Sequence, residues 1–255
     1  MRTADAHVVD REQPAPGLVT LWLSAPEISH GARPGQFMML QPSATLDPFL
    51  ARPFWIHRVR DRDGRQELAV LVDVIGRAGR LLAAMTPGQS LRITGPLGRA
   101  IAIARTSSHL LLIGEGYGIA PLIWLADEEI RRGTAVTLVL ATASPIRLFP
   151  SELVAPEVEI AAFIGAEAVD GAYLATVCAE YGGWSDAIVA SGTAALPAML
   201  GQVLRQRDLR RPCHVLLAPP MPCGTGICGA CTVRLRRSRA RLVCRDGPVF
   251  DLRDI

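Results

Sequence analysis

The sequence contains no lysine: all 27 of its basic residues are arginine, and with 24 acidic residues the net charge at pH 7 is only +3. Proteins that bind nucleic acids carry basic stripes, often interleaved with aromatic residues, and this chain has no such stripe. The arginine bias is therefore more typical of genome composition than of nucleic-acid binding. We expect no nucleic-acid partner.

Long apolar runs are also missing. A membrane-spanning helix needs about 18 or more apolar residues, and the longest candidate, Leu110–Ala126, is interrupted by Glu115 and by glycine and proline. The N-terminal stretch carries Asp5, Asp10 and Glu12 without the apolar core of a secretory signal. These features predict a protein without membrane spans that is located in the cytoplasm.

Cysteines are few, but four of the six lie near the C-terminus in the spacing C-x4-C-x2-C-x12-C, at Cys223, Cys228, Cys231 and Cys244. This spacing is typical of the loop that holds a plant-type [2Fe–2S] cluster, which is bound by four thiolates. Three glycines in the loop allow backbone N–H groups to approach the sulfur atoms. The fourth cysteine follows a predicted hairpin, Thr232–Leu235 against Arg241–Val243.

Two other uses of four cysteines stay open. A structural zinc site also takes four thiolates, although it usually contains two C-x2-C pairs. Disulfides require an oxidising compartment, for which the chain gives no sign. The remaining cysteines, Cys178 and Cys213, lie outside the pattern and are predicted to be buried thiols.

Arginines are concentrated around the cysteine loop, at Arg234, Arg236, Arg237, Arg239, Arg241 and Arg245. This pattern agrees with a solvated hairpin and also with a docking surface for a partner protein. A third reading is positive charge that offsets an anionic cluster and raises its reduction potential.

The hydrophobic pattern changes near residue 101. Residues 1–100 contain short strands separated by proline and glycine turns, which predicts a small antiparallel β-barrel. Residues 101–210 alternate strands with helices, which indicates a parallel sheet. We therefore predict an α+β multidomain fold: a β-barrel over residues 1–100, an α/β domain over 101–210 and a small [2Fe–2S] module over 211–255.

A glycine-rich turn follows the first strand of the predicted α/β domain. Gly114, Gly116 and Gly118 lie between the apolar run His109–Ile113 and a helix predicted over Ala120–Arg131. Such a turn places backbone N–H groups and a helix N-terminus where a phosphate can bind. Tight turns in α/β domains also use glycines for packing alone, so the turn by itself leaves both interpretations open.

The order of barrel, α/β domain and cysteine loop resembles the ferredoxin reductase-like flavoproteins. More narrowly, the chain resembles the electron-transfer subunits of the NAD-dependent dihydroorotate dehydrogenases. The resemblance covers nearly the whole chain and is carried by four segments: Leu46–Phe54, Gly95–Gly98, Gly114–Leu122, and the cysteine loop with its ending Asp246–Phe250.

The resemblance implies FAD-binding residues in two segments, Arg52, Pro53, Phe54 and Trp55 in the first, and Leu71, Val72, Asp73, Ala78 and Gly79 in the second. Arg52 would meet the FAD pyrophosphate as a bidentate donor. The chain departs from the family pattern at Trp55 and Asp73, where the family usually has serine and arginine. On the nicotinamide side it departs at Glu115, Tyr117 and Ser191, which leaves NAD binding open.

The function implied by the resemblance is that of an oxidoreductase subunit of pyrimidine biosynthesis. It would pass electrons between an FMN-containing catalytic partner and NAD, through [2Fe–2S] and FAD, in a hetero-oligomer expected to be a heterotetramer. No acid–base or nucleophile constellation is present, since His57 and His109 are isolated, so the cofactors would carry the chemistry. The alternatives are a diaphorase-type subunit of a hydrogenase, sulfite reductase or ferredoxin–NADP transhydrogenase, and a non-enzymatic cluster relay with a decayed NAD site.

Overall fold

A computed structural model of the chain describes residues 1–42, 49–236 and 240–255. Leu46, Asp47 and Pro48 of the segment leading to Arg52 lie outside the described residues, as do Arg237 and Arg239 of the arginine set.

The N-terminal part of the chain folds into six antiparallel strands. These are β1 (Arg2–Ala15), β2 (Leu18–Ser24), β3 (Phe37–Leu40), β4 (Arg52–Arg62), β5 (Arg65–Asp73) and β6 (Ser90–Leu97). They close into a barrel in the order β1-β2-β5-β4-β3-β6, so every strand has a neighbour on both sides. Closure removes exposed strand edges, and the predicted antiparallel barrel is confirmed.

Two helices accompany the barrel strands, α1 (Pro26–Ser29) and α2 (Gly76–Ala83). Alternate residues of β2, Val19, Leu21 and Leu23, fill the barrel interior. The long first strand β1 pairs with both β2 and β6, and its register with β2 shifts twice. Such irregularities bend a strand, which lets β1 reach both neighbours around the closed sheet.

The second half of the chain forms a six-stranded sheet. Its strands are β7 (His109–Glu115), β8 (Ala135–Thr142), β9 (Glu159–Ile164), β10 (Ala187–Ser191), β11 (Cys213–Leu216) and the C-terminal β14 (Val249–Asp251). The strand order is β14-β11-β10-β7-β8-β9, and β7 to β11 are parallel, whereas β14 is antiparallel to β11. The predicted parallel sheet is confirmed.

Helices cover both faces of this sheet. They are α3 (Ala120–Arg131), α4 (Ala166–Asp170), α5 (Tyr173–Glu180) and α6 (Leu196–Gln206). In β7, Leu110 and Leu112 face the same core as α3, whereas Leu111 and Ile113 face the core formed with α5 and α6. A strand buried on both faces reads as a continuous apolar run, which is why this strand was predictable. None of the helices in the described ranges is long and apolar enough to cross a bilayer.

Strand β4 fastens the barrel to α3. His57 is only 2% exposed, and its Nδ1 donates to the carbonyl oxygen of Ala120 at 3.0 Å. Burial, with a smaller contribution from the Arg58 charge, lowers the pKa of His57 to about 3. Next to it, Arg58 Nε donates to Asp127 Oδ2 at 2.6 Å. The predicted structural role of His57 is thus a neutral contact between the two halves of the molecule.

The cysteine module lies between β11 and β14. It contains a two-stranded hairpin of β12 (Thr232–Val233) and β13 (Arg241–Leu242), followed by the short helix α7 (Val243–Asp246). The pairing of the predicted hairpin is confirmed. Val243, which was predicted to end its second strand, is instead the first residue of α7. The predicted domain limit between residues 210 and 211 precedes β11, which pairs with β10 as part of the α/β sheet.

Candidate redox centre and nucleotide cleft

The four predicted ligand cysteines lie together in the module, in two pairs. Cys231 Sγ and Cys244 Sγ are 3.4 Å apart, and the thiol of Cys228 is hydrogen-bonded to Cys223. All six cysteines of the chain are free thiols, so the structure gives no support to the disulfide alternative. Cys178, in α5, and Cys213, at the start of β11, are buried elsewhere in the core, as predicted.

Backbone N–H groups point at these sulfur atoms. Thr225 N–H donates to Cys223 Sγ at 3.4 Å, and Cys244 N–H donates to Cys231 Sγ at 3.5 Å. Burial acts to raise the pKa of Cys223, but hydrogen bonds from Cys228 and Thr225 outweigh it and lower the pKa to about 5. N–H donors that stabilise thiolate sulfur are typical of iron–sulfur ligation.

The paired arrangement fits a two-iron cluster. A [2Fe–2S] cluster takes four thiolates, two for each iron, and the module offers two thiol pairs. Two thiol pairs are what the predicted [2Fe–2S] cluster requires of its ligands.

The cysteine module has one buried and one exposed side. Cys231 and Cys244 belong to an apolar core that also contains Met39 of the barrel. On the opposite side Cys228 is exposed, and its neighbour Ile227 is 88% exposed. Electrons could therefore enter or leave at the outer edge of the loop, while its inner edge contacts the barrel.

A glycine makes the contact with the barrel close. Gly224 has φ +66°, and a Cβ at this position would lie 2.6 Å from Met39 Cγ of β3. In β3, Met39 pairs with Pro53, and Phe37 pairs with Trp55. The cysteine loop is thus separated from the segment Arg52–Trp55 by one barrel strand.

The first predicted FAD segment opens β4. Arg52 is partly exposed, and its Nη1 donates to the carbonyl oxygen of Leu50 at 2.8 Å. Pro53 is partly exposed, whereas Phe54 and Trp55 are buried. Its position at the start of β4 agrees with an anion-binding role.

The second predicted segment spans the end of β5 and the start of α2. Leu71 and Val72 are fully buried in β5, while Ala78 and Gly79 lie in the first turns of α2. No side chain caps this helix, and its first turn contains no acidic residue. Because a helix N-terminus attracts anions, this end of α2 fits a phosphate group such as that of FAD.

A cleft of about 410 Å³ lies between the barrel and the carboxyl ends of β7, β8 and β10. Ligands of open α/β sheets bind at this edge. Four of the predicted site residues line it, namely Trp55, Asp73, Gly116 and Gly118. Gly114 instead packs beneath the turn, where a Cβ would lie 2.5 Å from Ile119 Cγ2.

Glu115, at the end of β7, has a buried and fully engaged carboxylate. It is 7% exposed, and Tyr173 donates its hydroxyl to Oε1 at 3.0 Å. Thr193 donates its backbone N–H and its hydroxyl to Oε2 at 2.9 and 2.7 Å. The carboxylate therefore bonds to the loop after β10, and it forms part of the cleft wall together with Tyr117 and Ser191.

Arg147 is a cleft residue that sequence reasoning did not predict. It lies in a 3-10 turn, Pro145–Arg147, after β8, and forms an ion pair with Asp73 at the end of β5. The pair joins the two sides of the cleft. No local motif marks Arg147; the general rule that ligands bind beyond the carboxyl ends of parallel strands was the available signal.

Comparison with known proteins agrees with these features. Residues 219–255 match the model of the iron-sulfur cluster binding domain of dihydroorotate dehydrogenase B. The chain is 30% identical over 236 residues to the dihydroorotate dehydrogenase B (NAD(+)) electron transfer subunit of Bacillus caldolyticus, covering 90% of this chain and 89% of that protein. The corresponding subunit of Geobacillus sp. (strain WCH70) is 30% identical over 256 residues, covering 98% and 97%.

A solved structure is similar over the same length. The NADH-dependent reduced ferredoxin-NADP oxidoreductase, described in connection with flavin-based electron bifurcation, superposes with a TM-score of 0.81 at 25% identity. The match covers 98% of this chain and 89% of that one.

Proposed function

Since the chain belongs to the family of dihydroorotate dehydrogenase B electron transfer subunits, we propose that it carries electrons between a catalytic partner subunit and NAD. The route uses a [2Fe–2S] cluster at the four cysteines and an FAD at the barrel. The observation that carries this proposal is the direct contact of the cysteine loop with β3, next to the predicted FAD segment of β4.

The residues of the chain hold and separate the redox groups. The four cysteines would hold the cluster, and Arg52 with the N-terminus of α2 would hold the FAD pyrophosphate. When bound, FAD exchanges two electrons with a nicotinamide and single electrons with an iron–sulfur cluster. Trp55 and Tyr117 form apolar parts of the cleft wall and would exclude water from the flavin ring.

We further infer that the partner is an FMN-containing subunit that oxidises dihydroorotate, in a heterotetramer in the cytoplasm. The exposed edge of the cysteine loop supports a docking site there, because Ile227 and Cys228 are exposed. Three arginines of the same module are exposed as well, Arg234, Arg241 and Arg245. Co-expression with a candidate partner should give a complex with equal amounts of FAD and FMN. Its mass in solution tests the heterotetramer, and cell fractionation tests the compartment.

A second candidate is a diaphorase-type subunit. The extended likeness to the ferredoxin-NADP oxidoreductase favours it, because that protein shares the barrel and the sheet. The two candidates differ in their electron donors. Dihydroorotate with an FMN subunit should reduce the cluster of this chain in the first case, and reduced ferredoxin should do so in the second.

The test of the proposal is an anaerobic titration of the loaded chain with NADH. The flavin absorbance should be bleached, and a rhombic signal of a reduced [2Fe–2S] cluster should follow. A Cys228→Ser variant should keep the flavin response and lose the cluster signal. Stoichiometric zinc in native material would refute the cluster assignment. If NADH left the flavin absorbance unchanged, the function would be that of a cluster relay that does not use NAD.

A further inference from the structure

The cleft contains one cationic side chain among the described residues that line it. This is Arg147, and the lining also includes two carboxylates, Asp73 and Glu115. A dinucleotide brings a pyrophosphate with negative charge. Its binding therefore requires cationic side chains or free N–H donors. The charged side chains that line the cleft, one guanidinium and two carboxylates, sum to a negative charge.

The charged groups of the cleft are paired within the chain itself. Glu115 accepts hydrogen bonds from the backbone N–H and hydroxyl of Thr193 and from Tyr173. Asp73 takes the guanidinium of Arg147. Two internal carboxylates thus lie where the phosphate groups of a nucleotide would find their partners.

The two carboxylates differ in how firmly they are held. Glu115 is buried and has three donors, all from the α/β half of the molecule. Asp73 comes from the barrel, and the side chains of Asp73 and Arg147 are 22% and 35% exposed. A partly solvated ion pair is weak, so another anion can replace Asp73 at low cost, whereas displacing Glu115 would leave several buried donors unpaired.

We propose that Arg147 is the phosphate-binding residue of the cleft and that Asp73 is its internal competitor, which a nucleotide pyrophosphate displaces on binding. The inference rests on the proposed function, in which NAD is bound, and on the rule that ligands of open α/β sheets bind at the carboxyl ends of the strands. It has two consequences. Nucleotide affinity is set by an exchange of anions at Arg147, and nucleotide binding breaks an ion pair between the barrel and the sheet.

The test compares the dissociation constants of NAD⁺ and ADP by calorimetry, on oxidised protein with its FAD and cluster. The proteins are the wild type, Asp73→Asn, Arg147→Gln and the double variant. Asp73→Asn should tighten both ligands roughly tenfold, because a like charge is removed and Arg147 is released. Arg147→Gln should weaken both. In the Arg147→Gln background, Asp73→Asn should have little effect, since no guanidinium remains to be released.

Asp127→Asn is the matched control. It breaks the ion pair with Arg58, which also joins the barrel to the α/β half but lies on α3 and not among the residues that line the cleft. It should leave both dissociation constants unchanged. The FAD content and the thermal midpoint of each variant establish that it is folded.

Several results would overturn the inference. An equal effect of Asp73→Asn with and without Arg147 would mean that Asp73 acts by charge repulsion alone. If Asp73→Asn tightened the binding of NAD⁺ and left that of ADP unchanged, Asp73 would act on the nicotinamide half of the ligand and not on its pyrophosphate. If NADH reduces the wild-type flavin while Asp73→Asn binds neither ligand more tightly, the proposed function stands and this inference fails. If no variant binds either ligand, both fail.

Discussion

Acidification from pH 7 to pH 5 should weaken the junction between the barrel and the sheet through His57. The imidazole is buried and neutral, with Nδ1 bonded to the carbonyl oxygen of Ala120. Burial lowers its pKa from 6.5 to about 3. Below pH 6.5 the unfolded chain binds a proton at His57, whereas the folded chain does not until about pH 3. Stability therefore falls as the pH falls through this window.

The size of the effect follows from the two pKa values. Once the pH is well below 6.5, the loss is about 1.4 kcal/mol for each pH unit. Between pH 7 and pH 5 this integrates to about 2 kcal/mol for one histidine that stays neutral in the folded state.

The assay is urea unfolding of the loaded protein at pH 7 and pH 5, followed by circular dichroism. Carboxylates also titrate in this range, so the informative quantity is the difference between wild type and His57→Gln. A glutamine amide can still donate to Ala120, and the variant should lose about 2 kcal/mol less than the wild type on acidification. His57→Phe should remove the same pH dependence but cost about 1–3 kcal/mol at pH 7, because the Ala120 carbonyl loses its donor.

An equal loss of stability in wild type and His57→Gln would refute this account. It would mean that the imidazole is protonated in the folded state without disturbing the junction, against the burial and the neighbouring Arg58 charge that lower its pKa.

Three further outcomes concern the redox site. Cys228→Ser should abolish a cluster of about two irons and two sulfides per chain, by chemical analysis and by the signal of the reduced protein, while Cys178→Ser should keep both. Arg52→Ala should weaken FAD retention by on the order of 1.5–3 kcal/mol in equilibrium dialysis, and Arg52→Lys should restore only part, because the planar fork is lost. Gly224→Ala should destabilise the protein by about 1–3 kcal/mol in urea unfolding and slow electron transfer from flavin to cluster in stopped flow, because its methyl group would press on Met39.

The cysteine loop also offers a matched control for Gly224→Ala. Gly229 has φ +71°, but a Cβ there would meet nothing within 4 Å. Gly229→Ala should therefore show the backbone cost alone and leave the transfer rate unchanged. Equal rates of electron transfer from flavin to cluster in Gly224→Ala and Gly229→Ala would show that the contact with Met39 does not set the rate. Full FAD through gel filtration in Arg52→Ala would show that another group anchors the pyrophosphate, and iron retained in Cys228→Ser would contradict its assignment as a ligand.

Local patterns made much of the fold predictable. Helix α3 occupies Ala120–Arg131, as the apolar periodicity and the glycine turn before it indicated. The cysteine ligands were predictable because three of them lie within nine residues, so that their spacing alone constrains the loop. Strand β1 was not predicted, because most of its side chains are exposed or only partly buried and the alternation of apolar residues is weak.

The cleft could not be predicted in the same way, because its contacts join distant parts of the chain. Asp73 and Arg147 are 74 residues apart in sequence, and Glu115 and Thr193 are 78 residues apart. The sequence placed a carboxylate at the glycine turn, but only the folded chain shows that Thr193 and Tyr173 bind it. Charge at a turn is a local property, whereas the partner of that charge is set by the topology.

The antiparallel pairing of β14 with β11 makes the whole cysteine module the loop of a long hairpin. Leu216 and Val249 are directly opposed, so the two ends of the module are held one strand spacing apart, about 4.8 Å. The entropic cost of closing such a loop grows only with the logarithm of its length. The module is therefore an insert that can change in length and content while the sheet keeps its last two strands. Loss of the cluster is therefore expected to open the insert first, while β11 and β14 remain paired in the sheet.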